Sequence, residues 1–362
     1  MISFTAKEVI IHIARHVLGE NRVHDYLIQR GIELRHLRDG YTENGNISES
    51  FPKNNNERRE ANSTTKANSD HRQTLVFMAN GKWMHGGLTD RLRGMASAYK
   101  FATEHHLDFK IYHTSPFLLQ EILQPNKIDW IIDEREIIRD CSKAKPVLLY
   151  REDFDNDSAL ERQLDSTHEQ FHLYSCVDTL GEKFPEIFND LFNPSPLLEK
   201  ELAHYSELLG TNYTAISFRF QNMLGDFKEF TFKELPPTSK QELLNDALNA
   251  LKKEITDASQ TPQASQESPS APKILVTADS PTFLEEAAKF PNVVIVSGAS
   301  IHIDFNSSKN ATDYIKAFTE FFLISRAAKA KLYRNRKYKT YPSNFPKYAA
   351  KLGHVPYEII EE

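Results

Sequence analysis

Residues 84–101, MHGGLTDRLRGMASAYKF, constrain the chain more than any other stretch, because they join a buried strand to a helix through two adjacent glycines. Just upstream, 74–78 (TLVFM) is a short apolar run of strand type. Downstream, Leu92, Met95, Ala96, Tyr99 and Ala102 recur at helical spacing. The order is strand, glycine turn, helix. A helix that begins at such a turn aims unpaired backbone N–H groups at whatever lies above the sheet edge, and those groups favour an anion. Gly86 and Gly87 permit close approach to the backbone. Arg91 and Arg93 stand two residues apart, so on a helix they diverge and one of them faces the turn. A plain strand-to-helix connection with solvated arginines explains the segment equally well, since HGGLTDRLRG matches neither the dinucleotide fingerprint nor the P-loop.

The rest of the chain repeats the alternation. Strands are expected at 107–112, 145–150 and 171–177, with a short helix at 115–123, giving a small parallel sheet with right-handed crossovers. Residues 180–209 read as helical, broken at Pro194 and Pro196. A second series follows: strand 214–220, helix 240–255, strand 273–278, helix 282–289, strand 293–296 and a long helix over 312–330. These patterns divide the chain into a first α/β domain at 73–205 and a second at 206–362, whose segment 256–272 is a Ser-, Gln- and Pro-rich surface loop. Before them, 1–40 carries Ile10, Ile13, Ala14 and Val17 at helical spacing, an N-terminal helical extension. Residues 41–72 are polar enough to read as a disordered linker.

With 362 residues there is length for two cores. A net charge of -6 disfavours nucleic acid as the main partner. Two cysteines, Cys141 and Cys176, are too few for a disulfide framework or a cysteine zinc site. No apolar run approaches the roughly 18 residues of a membrane span, and the N-terminus lacks a signal-peptide pattern. A cytoplasmic setting is expected, with peripheral association at the membrane surface left open.

Three further constellations carry chemistry. In ISFRFQNMLGD (216–226), Arg219 emerges at the C-terminal end of a strand, the edge where open α/β sheets bind ligands, and a guanidinium there can grip a diphosphate. In VTADSPTF (276–283), Asp279 ends a strand and Ser280 can cap the next helix; the carboxylate can accept from guanine N1–H and N2–H, or serve as a helix cap. In YPSNFPKYAA (341–350), Ser343 and Phe345 precede an alanine-containing helix, after a basic run at 327–339 that reads as a solvated helix end.

Taken in order, these four motifs resemble those of the GDP-fucose-dependent fucosyltransferase superfamily, which includes the nodulation-factor, core N-glycan and plant cell-wall fucosyltransferases. The resemblance covers about residues 73–360. It implies a GT-B-like fold, two Rossmann-like domains facing across a cleft, with the nucleotide sugar mainly on the second. It implies an inverting, metal-independent transfer of fucose from GDP-fucose to a glycan or lipid-linked saccharide hydroxyl, with no resident cofactor. By the same resemblance Arg219 holds the donor β-phosphate, Asp279 contacts guanine, and Gly86, Gly87, Leu88, Arg93, Ser343 and Phe345 complete the donor site. Two departures stand out: Ser217 or Phe218 replaces a usual histidine, and extra residues separate Arg219 from Asp226. For the general base, Asp226 and Glu229 follow the arginine, while Asp90 and His85 lie on the facing motif; Asp226 is expected first. By the same resemblance no metal ligands are expected. Two other readings stay in play, a transferase for a different nucleotide sugar and a non-catalytic glycan-binding protein on the same fold. The oligomeric state is open.

Overall fold

The computed structural model describes residues 37–38, 40–42, 72–149, 156–227, 233–260 and 272–362. The expected helices before residue 37 lie outside these residues, as does most of the polar stretch at 41–72. Tyr41 and Thr42, at the start of that stretch, and Leu37 just before it, are held on the first sheet. Leu37 is fully buried against Val76, Met78 and Tyr174, Tyr41 contacts His172, and Thr42 forms a parallel bridge with Asp140. Residues 37–38 and 40–42 are therefore anchored on the first sheet by one leucine and one tyrosine.

The first unit opens with β1 (Thr74–Ala79), whose residues from Leu75 onward are buried on both faces. That is what a parallel sheet covered by helices on both sides requires, and it explains the unbroken apolar run. The glycine turn leads into α1 (Leu88–Glu104), which seats Leu92, Met95, Ala96 and Ala102 in the core. There follow β2 (Asp108–His113), β3 (Leu123–Pro125), β4 (Ala144–Leu149), α2 (Asn156–Glu161), β5 (Gln170–Ser175), α3 (Phe184–Leu191), β6 (Phe192–Pro194) and α4 (Pro196–Leu209). The parallel sheet has the order β2-β1-β5-β4. The helix expected at 115–123 is replaced by a 3-10 turn, Leu119–Glu121, running into β3. Antiparallel pairing of Leu123 with Pro194 and burial of Phe117, Leu119 and Ile122 outweigh local helical preference there.

The second unit comprises β7 (Thr214–Phe218), α5 (Pro237–Gln260), β8 (Ile274–Ala278), α6 (Pro281–Ala287), β9 (Val293–Val294), α7 (Ile315–Ile324), β10 (Lys329–Arg334), α8 (Asn344–Leu352) and β11 (Tyr357–Glu361). All its pairings are parallel, in the order β11-β10-β7-β8-β9. Two expectations change. The polar segment 256–272 begins as the last turn of α5, which runs through Gln260; 261–271 lie outside the described residues. The long helix ends at Ile324, and the basic run contains β10, a strand inside the sheet rather than a solvated helix end. Alternation decides this: Ala330 and Leu332 are buried, while Lys329 and Lys331 find Glu358 and Glu254 at 3.1 and 2.6 Å. Register places Phe218 opposite Ala278 on one side and Tyr333 on the other, so β7, β8 and β10 end level.

Candidate functional site

Between the two units lies a cavity of about 580 Å³. The first unit contributes the Gly86, Gly87, Leu88 and Asp90 turn. The second contributes the level strand ends, with Arg219 and Asp279, the start of α8, with Ser343 and Phe345, and one face of α7. Seven of the donor-site residues expected from sequence thus surround one cavity: Gly86, Gly87, Leu88, Arg219, Asp279, Ser343 and Phe345.

Arg219 and Asp279 form one device. The guanidinium donates to Oδ2 of Asp279 at 2.8 Å and lies 5.0 Å from the ring centre of Phe227. Asp279 is buried and also accepts the backbone N–H groups of Phe220 and Gln221 at 2.9 and 2.7 Å. Burial pushes its carboxyl upward, against the pull of Arg219 and those amides. With both oxygens engaged in this way, Asp279 fixes the arginine and the turn after β7.

Other expected residues are used differently. Asp226 does not line the cavity: its Oδ2 accepts from Ser280 Oγ at 2.6 Å and Thr282 N–H at 3.0 Å, at the start of α6. The turn at 221–224, entered through the left-handed Gln221, carries the chain away from Arg219 and sets Asp226 there. Glu229 lies outside the described residues. Arg93 is buried away from the cavity, paired with Asp90 and 5.6 Å from the ring centre of Tyr348 on α8. His85 is enclosed by Phe77, Trp83 and Tyr174, with Nδ1 3.1 Å from the Ser175 carbonyl; burial, then Arg91, hold its pKa well below the usual value. It is a core imidazole, outside the cavity wall.

The glycine turn is also occupied from within. Gly86 sits at φ 85°, in the left-handed region where any side chain is strained, and a Cβ there would also displace the Asp90 carboxylate, 2.6 Å away, so the turn favours glycine. Its N–H donates to Oδ2 of Asp304, whose Oδ1 meets Arg91 at 2.6 Å, while Gly87 N–H donates to Asp90 at 3.2 Å. The amides expected to hold a phosphate hold two carboxylates. What remains toward the cavity is Arg219 and the first turn of α8, capped by Ser343, whose Oγ accepts from Phe345 N–H at 3.2 Å. Phe345 packs edge-on against Phe321 at 5.7 Å.

Cavity residues that went unread in the sequence include His302, Asp304, Lys316 and Glu320. His302 lies beside Phe305 and Phe227, and its Nδ1 accepts from Asp304 N–H at 3.3 Å. Burial and then Arg219 lower its pKa to about 4, so it is neutral near pH 7. Lys316 and Glu320, both buried, face each other on α7 at 2.7 Å. Burial raises the Glu320 carboxyl and Lys316 opposes the rise. A signal for them exists: α7 reads IKAFTEFFLI, an apolar helix interrupted by one charged pair four residues apart, which is the mark of a buried ion pair. Asp304, in a single 3-10 turn, Ile303–Phe305, carries no such mark.

No family model matches the sequence, and no curated protein does. Among solved structures, the fucosyltransferase NodZ from Bradyrhizobium is similar over 80% of this chain and 96% of that one, at 15% identity and a TM-score of 0.50. A mutant of Arabidopsis thaliana FUT1 in complex with GDP is similar over 91% of this chain and 74% of that one, at 12% identity and a TM-score of 0.51. The chain therefore has the GT-B-type fold of these proteins, two parallel-sheet units with a cavity between them.

Proposed function

We propose that the chain is a glycosyltransferase that moves fucose from GDP-fucose to a glycan hydroxyl with inversion and without a metal ion. The observation that carries this reading is Arg219, braced by Asp279 at the strand ends and facing a cavity that the start of α8 also enters. The departing diphosphate gains negative charge in the transition state, and a fixed guanidinium with a helix N-terminus opposes that charge without reorganising. The acceptor oxygen attacks the anomeric carbon as the bond from that carbon to the β-phosphate oxygen breaks, and GDP leaves with the electron pair. The acceptor proton passes to Asp90, the carboxylate that the first unit places on the cavity wall. Guanine lies toward α7, where Glu320 accepts from N1–H and the 2-amino group.

Calorimetry with GDP, UDP, ADP and GDP-fucose, with and without EDTA, tests the reading. Guanine nucleotides bind preferentially and EDTA changes nothing. Arg219→Ala weakens GDP by about 10- to 100-fold, the worth of a charge-assisted hydrogen bond. Failure to bind any nucleoside diphosphate would refute the reading. Asp90→Asn separates base from binding: turnover falls about 100-fold or more while GDP affinity holds. Equal loss in both quantities would assign Asp90 to donor binding instead.

A further inference from the structure

The buried ion pair on α7 has a chemistry that the nucleotide reading does not exhaust. Lys316 and Glu320 are 3% and 6% exposed, yet both border the cavity. Burying a charged pair costs more than its mutual attraction returns unless further hydrogen bonds complete it. Here completion is partial. Lys316 Nζ donates to the Val296 carbonyl and stands 2.7 Å from Glu320 Oε1 as an ion pair, so one of the three hydrogens an ammonium carries has an aligned acceptor. Glu320 Oε1, although so close to Nζ, has no aligned hydrogen-bond donor among the described residues. One wall of the cavity therefore presents a donor next to an acceptor, with capacity unspent on both.

That pattern selects among bases. Guanine shows, in order along one edge, an acceptor at O6, a donor at N1–H and a donor at the 2-amino group. Adenine puts a donor opposite the lysine and an acceptor opposite the glutamate. Uracil matches at O4 and N3–H but turns O2 toward the carboxylate. A donor beside an acceptor pair thus fits guanine and opposes the others.

Resting on the nucleotide reading of this cavity, we propose that Lys316 is a base-specificity residue whose ammonium donates to the 6-oxo group of guanine, next to the edge that Glu320 accepts. Lys316 thereby sets discrimination at the six-position, and Glu320 sets it at the two-position.

The test is calorimetry with GDP, 6-thio-GDP, which has a weaker acceptor at the six-position, and IDP, which lacks the 2-amino group. The intact protein binds GDP over 6-thio-GDP by on the order of 10-fold, and over IDP by a comparable factor. In Lys316→Met the first preference collapses to about 2-fold or less while the GDP-to-IDP ratio is retained; in Glu320→Gln the second ratio is the one that collapses. Because a lone buried charge can unfold the helix, the charge-free double variant Lys316→Met with Glu320→Leu is measured alongside, and it shows neither preference. A purely structural Lys316 would weaken all three ligands equally in Lys316→Met, and that outcome overturns the proposal, as does equal binding of GDP and 6-thio-GDP by the intact protein. The nucleotide reading survives those results, and it falls with the proposal only if no nucleoside diphosphate binds at all.

Discussion

A guanidinium at a strand end samples many rotamers unless something holds it, and Asp279 holds Arg219 while tying down two backbone amides of the following turn. Asp279→Ala removes the acceptor of those two amides and the carboxylate that Arg219 meets at 2.8 Å. It should cost about 2–4 kcal/mol, seen as a lower urea midpoint, and weaken GDP as well; unchanged stability would show that the turn holds without it. The buried histidines give a second residue-scale expectation. Burial, reinforced by Arg91 at His113 and by Arg139 at His172, lowers each of those pKa values from 6.5 to about 3. The unfolded imidazoles take up protons near 6.5 and the folded ones only near 3, so this stability is present above the unfolded value and is lost as pH falls toward 3. The urea midpoint should already decline between about pH 7 and about pH 5, before most carboxylates titrate; a flat profile over that interval would contradict it. At this scale Arg219 was legible because a lone cation at a strand end has few structural uses. Asp226 misled because sequence shows which carboxylates are near the arginine along the chain, and hydrogen bonding decides which way they turn.

Helix α1 shows how an element is seated. A Cβ on Gly94 would lie 2.8 Å from the Ser175 carbonyl oxygen and 3.2 Å from Cys176 Cα, so glycine lets the helix lie directly on the end of β5. Replacing a mid-helix glycine by alanine ordinarily gains up to about 1 kcal/mol; here the clash is with backbone, and overpacking of about 1–3 kcal/mol wins. Gly94→Ala is expected to lower the melting temperature, and a rise would mean that α1 can move off the sheet. Elements with a strong period, β1, α1, β7 and β8, were legible from pattern alone. Residues 115–123 and β10 were not: a short apolar run and a basic run each acquire their conformation from a partner strand distant in sequence, β6 for the one and β7 with β11 for the other.

Across the whole molecule, Asp304 joins the second unit to the glycine turn and Arg91 of the first. Asp304→Ala removes the counter-charge of the buried Arg91, leaving it the Ser115 carbonyl at 3.3 Å, and should cost about 3–5 kcal/mol, whereas Asp304→Ala combined with Arg91→Met should recover part of that loss. Additive losses measured by urea unfolding would show that the two side chains do not couple. The two-unit plan was visible in the alternation of strands and helices, but the bond between the units was not, since it links one 3-10 turn to a glycine turn and a helix more than two hundred positions away. Helix α8 makes a second such link. Its first turn borders the cavity, while Tyr348 meets Phe184 edge-on and hydrogen-bonds Asp178, and Lys351 reaches the Gly181 carbonyl. The last helix before β11 thus returns to the unit with which the described core begins. In genetic terms the protein cannot be halved: a stop codon before α8 would take away a wall of the cavity, a brace of the first unit and the edge strand of the second in a single stroke.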